Sequence, residues 1–397
     1  MKLPVIISLL SVVAVLSVKG AGKNKSAEPA AKPDMSVLDN YFPVRSFYIS
    51  LPAADMADEF IEFVRGDLIP GGFNNLTVRV NWSFPFLKHP ELVDTGAWSV
   101  EKIGELVKVC REGGVTLVPM INLLGHQSWE GRALKLLQVY PQFDERPSVK
   151  LPSEYKYPNA DRLYCKSYCP NHPDLHPILF ACIDEIVDAF EADNFHAGMD
   201  EVFDIADPYC PRCQGMDPAA VFAAEVNRIN AHLKARSVRL WIWADRLIDG
   251  GNSASGYGEW SASLNNTHRA IEMIDRDVMM CDWHYRIAEQ SAVLFALKGY
   301  DVITCGWIHP SITERQLEDL IRFRRHSSKY TGQRYRGFMQ TVWSGFPNFI
   351  KELRNGSDQV DYAARNYTIL KEAFIRYAKE FAGKPLEEKD GRRLTGQ

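Results

Sequence analysis

The sequence has no long run of charged residues of either sign. Lysine and arginine total 46, and aspartate and glutamate total 50, so the formal net charge is only −4. Proteins that bind nucleic acid usually carry a basic patch or stripe, and basic amphipathic helices mark proteins of the membrane surface. The composition supports neither class, and we expect no nucleic-acid partner.

Long apolar runs are also missing, except at the N-terminus. Lys2 precedes an apolar run from Leu3 to Val18, and small residues follow near Gly20. The run is shorter than a bilayer span, so we interpret residues 1–20 as a signal peptide, with an uncleaved membrane anchor as the alternative. No cysteine follows the run that would carry a lipid anchor. We therefore expect a secreted or periplasmic protein with no membrane span after signal cleavage.

Low-complexity sequence is confined to the ends of the chain. Residues 21–44 begin with a stretch rich in alanine, lysine and proline, which predicts a flexible tether. Residues 383–397 are charged and predict a disordered tail. Between them, residues 45–382 contain no internal repeat and no linker, which favours a single domain.

Within that domain, short apolar runs alternate with longer amphipathic segments. The predicted strands are Ser46–Leu51, Leu76–Asn81, Thr116–Ile121, Phe195–Gly198, Arg239–Trp243, Val278–Trp283, Val302–Gly306 and Gly337–Val342. The predicted helices are Ala54–Leu68, Val100–Glu112 capped by Ser99, Leu175–Glu191, Pro218–Ala235, Thr267–Ile274, Ser291–Lys298, Thr313–His326 and Asp358–Phe381. Eight strands alternating with eight helices predict an α/β fold, a (β/α)₈ TIM barrel. An open doubly wound sheet is the alternative, but no glycine-rich phosphate loop follows the first strand.

Tryptophans and carboxylates follow the predicted strands. The active site of such a barrel lies at the carboxyl ends of its strands. The tryptophans at these ends are Trp82, Trp243, Trp283, Trp307 and Trp343. Aromatic rings stack on the C–H faces of pyranoses, whereas polar side chains bind the hydroxyls, so this set favours a sugar site. Packing in the protein core is the alternative for the same residues.

One acidic pair stands out by its position. Asp200-Glu201 ends an apolar strand within FHAGMDEVF, and Gly198 just before it leaves room for a turn. Consecutive strand residues point to opposite faces, so both carboxylates reach one pocket only where the strand ends. The other Asp-Glu pairs, at 58–59, 144–145 and 184–185, are interpreted as solvated helix or loop faces.

HAGMDE (196–201) resembles the His-x-Gly-Gly-Asp-Glu signature of family 20 glycoside hydrolases, the β-N-acetylhexosaminidases. VPMINLLGHQSW is similar to another segment of that family at Pro119, Ile121, Gly125 and His126. WIWADRL, with Trp243 and Asp245, and QTVWSGF, with Trp343 and Ser344, resemble two further segments. The resemblance covers roughly residues 46–381.

The resemblance implies a substrate-assisted retaining mechanism, in which the 2-acetamido oxygen of the substrate attacks the anomeric carbon. Asp200 is then expected to orient the acetamido group, and Glu201 to act as general acid and base. Tyr285 is expected to bind the acetamido carbonyl, and His126 to tune Glu201. The expected walls and remaining ligand of the sugar pocket are Trp243, Trp283, Trp343 and Asp245. The expected substrate is a glycan that contains N-acetylhexosamine, with no metal and no cofactor.

Several family residues are replaced. FYISLPAAD lacks the arginine that follows the first strand, and Trp82-Ser83 replaces an Asp-Asp pair. In the segment that spans the third strand and its loop, Met120 and Asn122 occupy the positions of the family's Glu and Asp. Gly345 occupies the position of the Glu that follows Trp-Ser in the family. These changes remove the usual ligands of the sugar hydroxyls. Two other functions remain open: a catalytically silent sugar-binding barrel, or a different glycosidase whose nucleophile is Asp245 or Glu259.

Eight cysteines are present, and four of them form two close pairs in the sequence. Cys165 and Cys169 fall in the loop after the third strand, and Cys210 and Cys213 in the loop after the fourth. In an exported protein we favour disulfides or partly free thiols over a four-cysteine zinc site, which is the alternative. The other four, Cys110, Cys182, Cys281 and Cys305, are expected to be buried thiols.

Overall fold

The computed structural model describes residues 33–251, 256–355, 363–384 and 386. The predicted signal peptide, half of the predicted tether and most of the predicted tail lie outside these residues. Eight parallel strands form a closed barrel, as predicted. They are β1 Val44–Ser50, β2 Asn75–Arg79, β3 Thr116–Leu123, β4 Asn194–Gly198, β5 Arg239–Trp243, β6 Met279–Trp283, β7 Val302–Gly306 and β8 Tyr335–Val342.

The barrel closes because β1 pairs in parallel with both β2 and β8. Tyr48 lies opposite Thr77 on one side and opposite Thr341 on the other. Side chains alternate across each strand, so Tyr48, Trp241, Trp243 and Met339 fill the lumen. The intervening positions, such as Phe47 on β1, face outward into a second and larger core under the helices.

The helices follow the strands in the expected order. They are α1 Ala57–Phe63, α2 Val100–Glu112, α3 Lys135–Val139, α4 Leu175–Ala189, α5 Pro218–Ala235, α6 Gly258–Ser261, α7 Ser291–Leu297, α8 Pro310–His326, α9 Lys329–Gly332, α10 Phe346–Asn355 and α11 Ala363–Phe381. Ser99 caps α2 by accepting the N–H of Lys102, as predicted. The helix predicted at 267–274 is instead a 3₁₀ segment, Thr267–Glu272, which begins after left-handed Asn266. The predicted start of the last helix, 358–362, lies outside the described residues.

The N-terminal boundary of the domain differs from the prediction. Met35–Asn40 form a 3₁₀ helix whose first turn is capped by Asp34. Leu38 and Phe42 are fully buried, and Tyr41 stacks on Phe381 of α11 at 4.0 Å between ring centroids. The tether predicted to reach residue 44 is therefore wrong for residues 35–44, because three apolar side chains anchor this stretch to the barrel.

The long connection between β3 and α4 is structured. It contains a small antiparallel hairpin, Ser128–Trp129 with Arg132–Ala133, then α3 and a 3₁₀ turn, Pro141–Phe143. It stands at the carboxyl ends of the strands, where barrel loops carry function. None of the helices in the described parts of the chain has the length and apolar character that a membrane crossing requires.

Candidate active site

The turn after β4 brings Asp200 and Glu201 to the same side of the chain. Gly198, Met199 and Glu201 all have positive φ angles, of 72°, 74° and 48°. These left-handed residues break the strand alternation, so both carboxylates reach His126. Gly198 is required here on two grounds, since a Cβ at that position would stand 1.8 Å from Oδ1 of Asn122.

His126 lies between the two carboxylates. Its Nε2 is 3.4 Å from Oδ2 of Asp200 and 3.3 Å from Oε2 of Glu201, and forms a directed hydrogen bond with neither. On the other side of the ring, Nδ1 is 3.5 Å from Sγ of Cys165. Nε2 is thus at ion-pair distance from both acids.

The electrostatics of the cluster favour an imidazolium beside a carboxylate. Burial is the largest single influence on the pKa of His126 and acts to lower it, but the charge of Asp200 and polar contacts with Asp200, Cys165 and Glu201 together hold that pKa well above its usual value. Burial is likewise the largest influence on the pKa of Asp200 and acts to raise it, but the charge of His126 and polar contacts with His126, Asn122 and the backbone together lower that pKa. His126 and Asp200 therefore form a buried ion pair. Oδ1 of Asp200 is buried and has no hydrogen-bond partner among the described residues.

Asp245 supports Glu201 from beneath. Oδ2 of Asp245 accepts the backbone N–H of Glu201 at 3.0 Å and Nε of Arg246 at 2.6 Å. Burial raises the pKa of Asp245 to about 6, although the Arg246 charge opposes the shift. Asp245 was predicted as a sugar ligand, and the structure places one of its oxygens on the backbone of the general-acid candidate. Its other oxygen, Oδ1, is buried and without a hydrogen bond in the described structure.

Aromatic side chains line the lumen next to these acids. Trp243 and Trp343 lie 5.9 Å apart between ring centroids, and Tyr48 packs against both. The hydroxyl of Tyr285 accepts Nε1–H of Trp343 at 3.1 Å, which leaves its own proton available to a ligand. Trp283 stacks on Tyr285 at 5.3 Å. Four of the predicted pocket aromatics therefore gather at one end of the barrel.

Trp82 does not belong to this group. The chain turns at left-handed Asn81, and Trp82 packs outward against Phe86 in the outer core, 3% exposed. Its interpretation as a sugar-site residue is wrong, because position 82 lies beyond the turn rather than on the lumen side of β2.

Two further residues at the site escaped the sequence interpretation. Arg79, the last residue of β2, lies over the Trp343 ring with Cζ 5.7 Å from the centroid. It forms no salt bridge within the described parts of the chain, and its charge reaches the buried phenol of Tyr48. Tyr164, in the long loop after β3, lies near Glu201, whose charge adds to burial in raising the pKa of the Tyr164 hydroxyl. Arg79 could have been found from the sequence, because alternate residues of a strand share a face and Arg79 is two residues after Thr77 on β2. No local sequence signal identifies Tyr164.

Beyond Glu201, aromatic rings of three loops form an outer aromatic cluster, defined here as Trp129, Tyr157, Tyr164, Phe203 and Trp260. Tyr164 lies 4.8 Å from Trp260 and 5.3 Å from Phe203. Trp129 and Trp260 are 51% and 39% exposed, so their rings are open to a ligand. The cluster flanks the general-acid candidate on the side away from the lumen tryptophans.

Two groups of described residues have the donor atoms and proximity to hold a metal ion. One is His126, Asp200 and Glu201, and the other is Glu145, Cys169, Cys210 and Cys213. In the first group a protonated His126 has no lone pair to offer, and it neutralises the acids itself. The second group lies outside the catalytic cluster and includes Glu145, which was interpreted as solvated. Glu145 is in fact 0% exposed, because the loops after β3 and β4 close over it.

Comparison with known proteins agrees with this geometry. Residues 75–309, more than half of the chain, match the family model for glycosyl hydrolase family 20, catalytic domain. A β-hexosaminidase of Vibrio furnissii is 24% identical over 251 residues, which is 58% of this chain and 36% of that protein. A β-hexosaminidase of Porphyromonas gingivalis is 21% identical over 342 residues, 74% of this chain and 42% of that protein. The chain thus spans less than half the length of either relative.

Solved structures share the fold. A crystal structure of a β-N-acetylhexosaminidase superimposes with a TM-score of 0.59 at 16% identity, covering 88% of this chain and 79% of that one. A β-N-acetylhexosaminidase from Bacteroides fragilis gives a TM-score of 0.56 at 16% identity, covering 90% and 74%. The family match and the barrel with its Asp200-Glu201 turn lead to one conclusion: the chain belongs to glycosyl hydrolase family 20 and contains its catalytic domain.

Proposed function

We propose that the chain is a glycosidase that cleaves β-linked N-acetylhexosamine from glycans by substrate-assisted, retaining catalysis. The observation that carries the proposal is the buried His126–Asp200–Glu201 cluster, which opens onto a lumen walled by Trp243 and Trp343. One acid is held ionised beside a cation, and its neighbour is held at the edge of the pocket. This is the pair of roles that acetamido-assisted cleavage requires.

Asp200 and Tyr285 act on the acetamido group. The unpartnered Oδ1 of Asp200 accepts the acetamido N–H, which raises the nucleophilicity of the carbonyl oxygen and stabilises the positive charge of the oxazolinium-like intermediate. The free proton of the Tyr285 hydroxyl is donated to that carbonyl oxygen and fixes its direction. Trp243, Trp283 and Trp343 enclose the methyl group and exclude water.

Glu201 acts on the glycosidic oxygen. It donates a proton as the leaving group departs and then removes one from the incoming water. Asp245 fixes the backbone of Glu201 through the N–H bond of 3.0 Å, and Tyr164 lies near its carboxylate. The outer aromatic cluster beyond Glu201 receives the leaving sugar or peptide, because its exposed rings stack on pyranose faces.

Recognition of the sugar hydroxyls differs from the family pattern. The replaced positions leave Asn122, Met120 and Gly345 where acidic ligands are expected, and Asn122 lies near Asp200, where it helps to lower the pKa of that carboxyl. Arg79 is the cation that reaches the pocket, over the face of Trp343. We assign it the binding of a sugar hydroxyl.

Export is part of the proposal. The N-terminal apolar run is the length of a signal peptide rather than of a membrane span. Expression of the full chain in a secreting host should yield a product outside the cytoplasm that begins near residue 21. A product that keeps Met1 and sediments with membranes would contradict export by signal cleavage.

The function is tested by hydrolysis of aryl N-acetyl-β-glucosaminide and -galactosaminide. We expect turnover by the wild type, inhibition by a thiazoline analogue of the intermediate, and a loss of at least about 10²-fold in Glu201→Gln and Asp200→Asn. Exposed acids provide matched controls: Glu62→Gln on α1 and Asp58→Asn beside it should leave turnover unchanged.

The alternatives predict other results. Thiazoline binding with no turnover of any aryl sugar would indicate a silent sugar-binding barrel. Turnover that persists in Asp200→Asn but stops in Asp245→Asn or Glu259→Gln would indicate a protein nucleophile. The geometry disfavours that nucleophile, since Asp245 lies under the Glu201 backbone and Glu259 contacts Arg162 at 3.7 Å.

A further inference from the structure

A second cluster of reactive side chains lies outside the catalytic site, between the loops after β3 and β4. It consists of Glu145, Cys169, Cys210 and Cys213, each 0% exposed. Their donor atoms all lie within 4.8 Å of one another. The catalytic chemistry uses none of them, so the cluster needs a separate explanation.

The cysteines are free thiols, one of the two states that the sequence analysis favoured. All eight cysteines lie among the described residues as free buried thiols, and the four outside the two close pairs are buried as expected. Cys165 turns to His126, whereas Cys169 lies 3.4 Å from Cys213 and 3.5 Å from Cys210, sulphur to sulphur. These separations exceed a disulfide bond, of about 2.05 Å. They approach the edge of a tetrahedron with metal–sulphur bonds of about 2.3 Å, which is about 3.8 Å.

Glu145 occupies the fourth position. Its Oε2 is 3.4 Å from Sγ of Cys213, and its Oε1 accepts the backbone N–H of Asp207 at 2.9 Å. Fully buried glutamates are rare unless a cation pairs with them. Nearby cations are engaged elsewhere: Lys166 pairs with Asp144, and Arg146 with Asp204 and Asp207. Within the described ranges no cationic side chain therefore pairs with Glu145, although a buried carboxylate is stabilised by a nearby positive charge.

A side-chain amide faces the sulphurs. The Asn171 side-chain amide lies 3.5 Å from Sγ of Cys213. Amide donors offset the negative charge of metal-bound sulphur. Two residues separate Cys210 from Cys213 in a tight turn, the spacing common to zinc-ligand pairs.

We propose that Cys169, Cys210, Cys213 and Glu145 bind one Zn²⁺ in a closed, four-coordinate structural site. Three soft sulphurs and one carboxylate in a tetrahedral arrangement favour zinc over calcium or magnesium, and full burial leaves no open position for catalysis. The ion ties the loop that carries His126 to the loop that follows Glu201. Zinc thus fixes the distance between the histidine and the acids from outside the pocket.

The test is the metal content and thiol state of the full chain, purified without added zinc or chelator. We expect one equivalent of zinc per chain by elemental analysis, and eight alkylated cysteines when the unreduced protein is denatured in iodoacetamide and chelator. After Co²⁺ exchange, thiolate-to-cobalt charge-transfer bands and tetrahedral d–d bands should appear. A metal-free chain, or two fewer alkylated cysteines because of a disulfide, would overturn the site.

Variants assign the ligands. Cys210→Ser and Cys213→Ser should lose the zinc equivalent, and Glu145→Gln should lower zinc affinity in competition with a chromogenic chelator. Cys165→Ser and Cys110→Ser are the matched controls and should retain it. Full zinc content in Cys210→Ser would contradict the assignment. If the serine variants do not fold, the wild-type cobalt spectrum and thiol count still decide the proposal.

Discussion

Replacing His126 with asparagine removes the cation between Asp200 and Glu201 while keeping a polar side chain of smaller size. The side chains of His126 and Asp200 are 14% and 9% exposed, so the remaining carboxylates stay buried without a counter-charge. Breaking one partner of a buried pair costs about 3–5 kcal/mol. We expect the free energy of unfolding in urea to fall by that amount near pH 6.

The pH dependence of this stability difference follows from the directions of the two pKa shifts. The pKa of His126 is raised from 6.5, so its contribution is complete below about pH 6.5 and is lost as pH rises through the raised value. The pKa of Asp200 is lowered from 3.8, so its contribution is complete above about pH 4 and is lost as pH falls through the lowered value. The stability difference between wild type and variant should therefore be largest between about pH 4 and 6.5.

His89→Asn is the control. His89 pairs with Glu91 at 3.0 Å on the surface, and the side chains are 21% and 40% exposed. A surface pair of this kind contributes about 0–1 kcal/mol. Equal losses in His126→Asn and His89→Asn, or a loss in His126→Asn that does not change with pH, would refute a buried ion pair at the site.

Three further outcomes are expected. Gly198→Ala should lower the free energy of unfolding by at least about 1–2 kcal/mol, because the backbone there is left-handed and the added Cβ would clash with Asn122. Gly104→Ala on α2 is the control and should be neutral or stabilising in the same urea assay, because nothing lies within 4 Å of its added Cβ. Tyr285→Phe should lower kcat about 10²-fold with little change in KM, and an unchanged kcat would remove its hydroxyl from the mechanism. Arg79→Gln should raise KM about tenfold or more, because a charge-assisted hydrogen bond to the sugar is lost. The exposed control Arg65→Gln should leave KM unchanged. Equal KM values for wild type and Arg79→Gln would show that Arg79 does not bind the sugar.

The barrel was predictable because its strands are short apolar runs whose ends coincide with turns. Four elements have the predicted bounds, Arg239–Trp243, Val302–Gly306, Val100–Glu112 and Pro218–Ala235. Each has an unambiguous local signal: an apolar run in the strands, a serine cap in α2, and in α5 an aspartate cap followed by proline. The 3₁₀ segment at Thr267–Glu272 was missed because a short amphipathic stretch does not reveal how its hydrogen bonds close.

The site was predictable where one strand end carries the function and unpredictable where burial depends on distant loops. Asp200 and Glu201 follow β4 directly, so their proximity is a local consequence of the turn. Glu145 follows Asp144, and such an acidic pair usually lies at the surface. It is buried because Cys169 and Cys210, from distant parts of the chain, pack against it. The prediction for Trp82 was wrong for a related reason, because left-handed Asn81 just before it turns the side chain into the outer core.

Whether the acetamido group of the substrate is the nucleophile can be measured by varying that group. Aryl N-acyl-β-glucosaminides that carry acetyl, monofluoroacetyl, difluoroacetyl and trifluoroacetyl groups differ little in size and strongly in carbonyl basicity. We expect kcat/KM of the wild type to fall steeply with each fluorine. A rate that stays constant across the series would contradict the mechanism and indicate a nucleophile supplied by the protein.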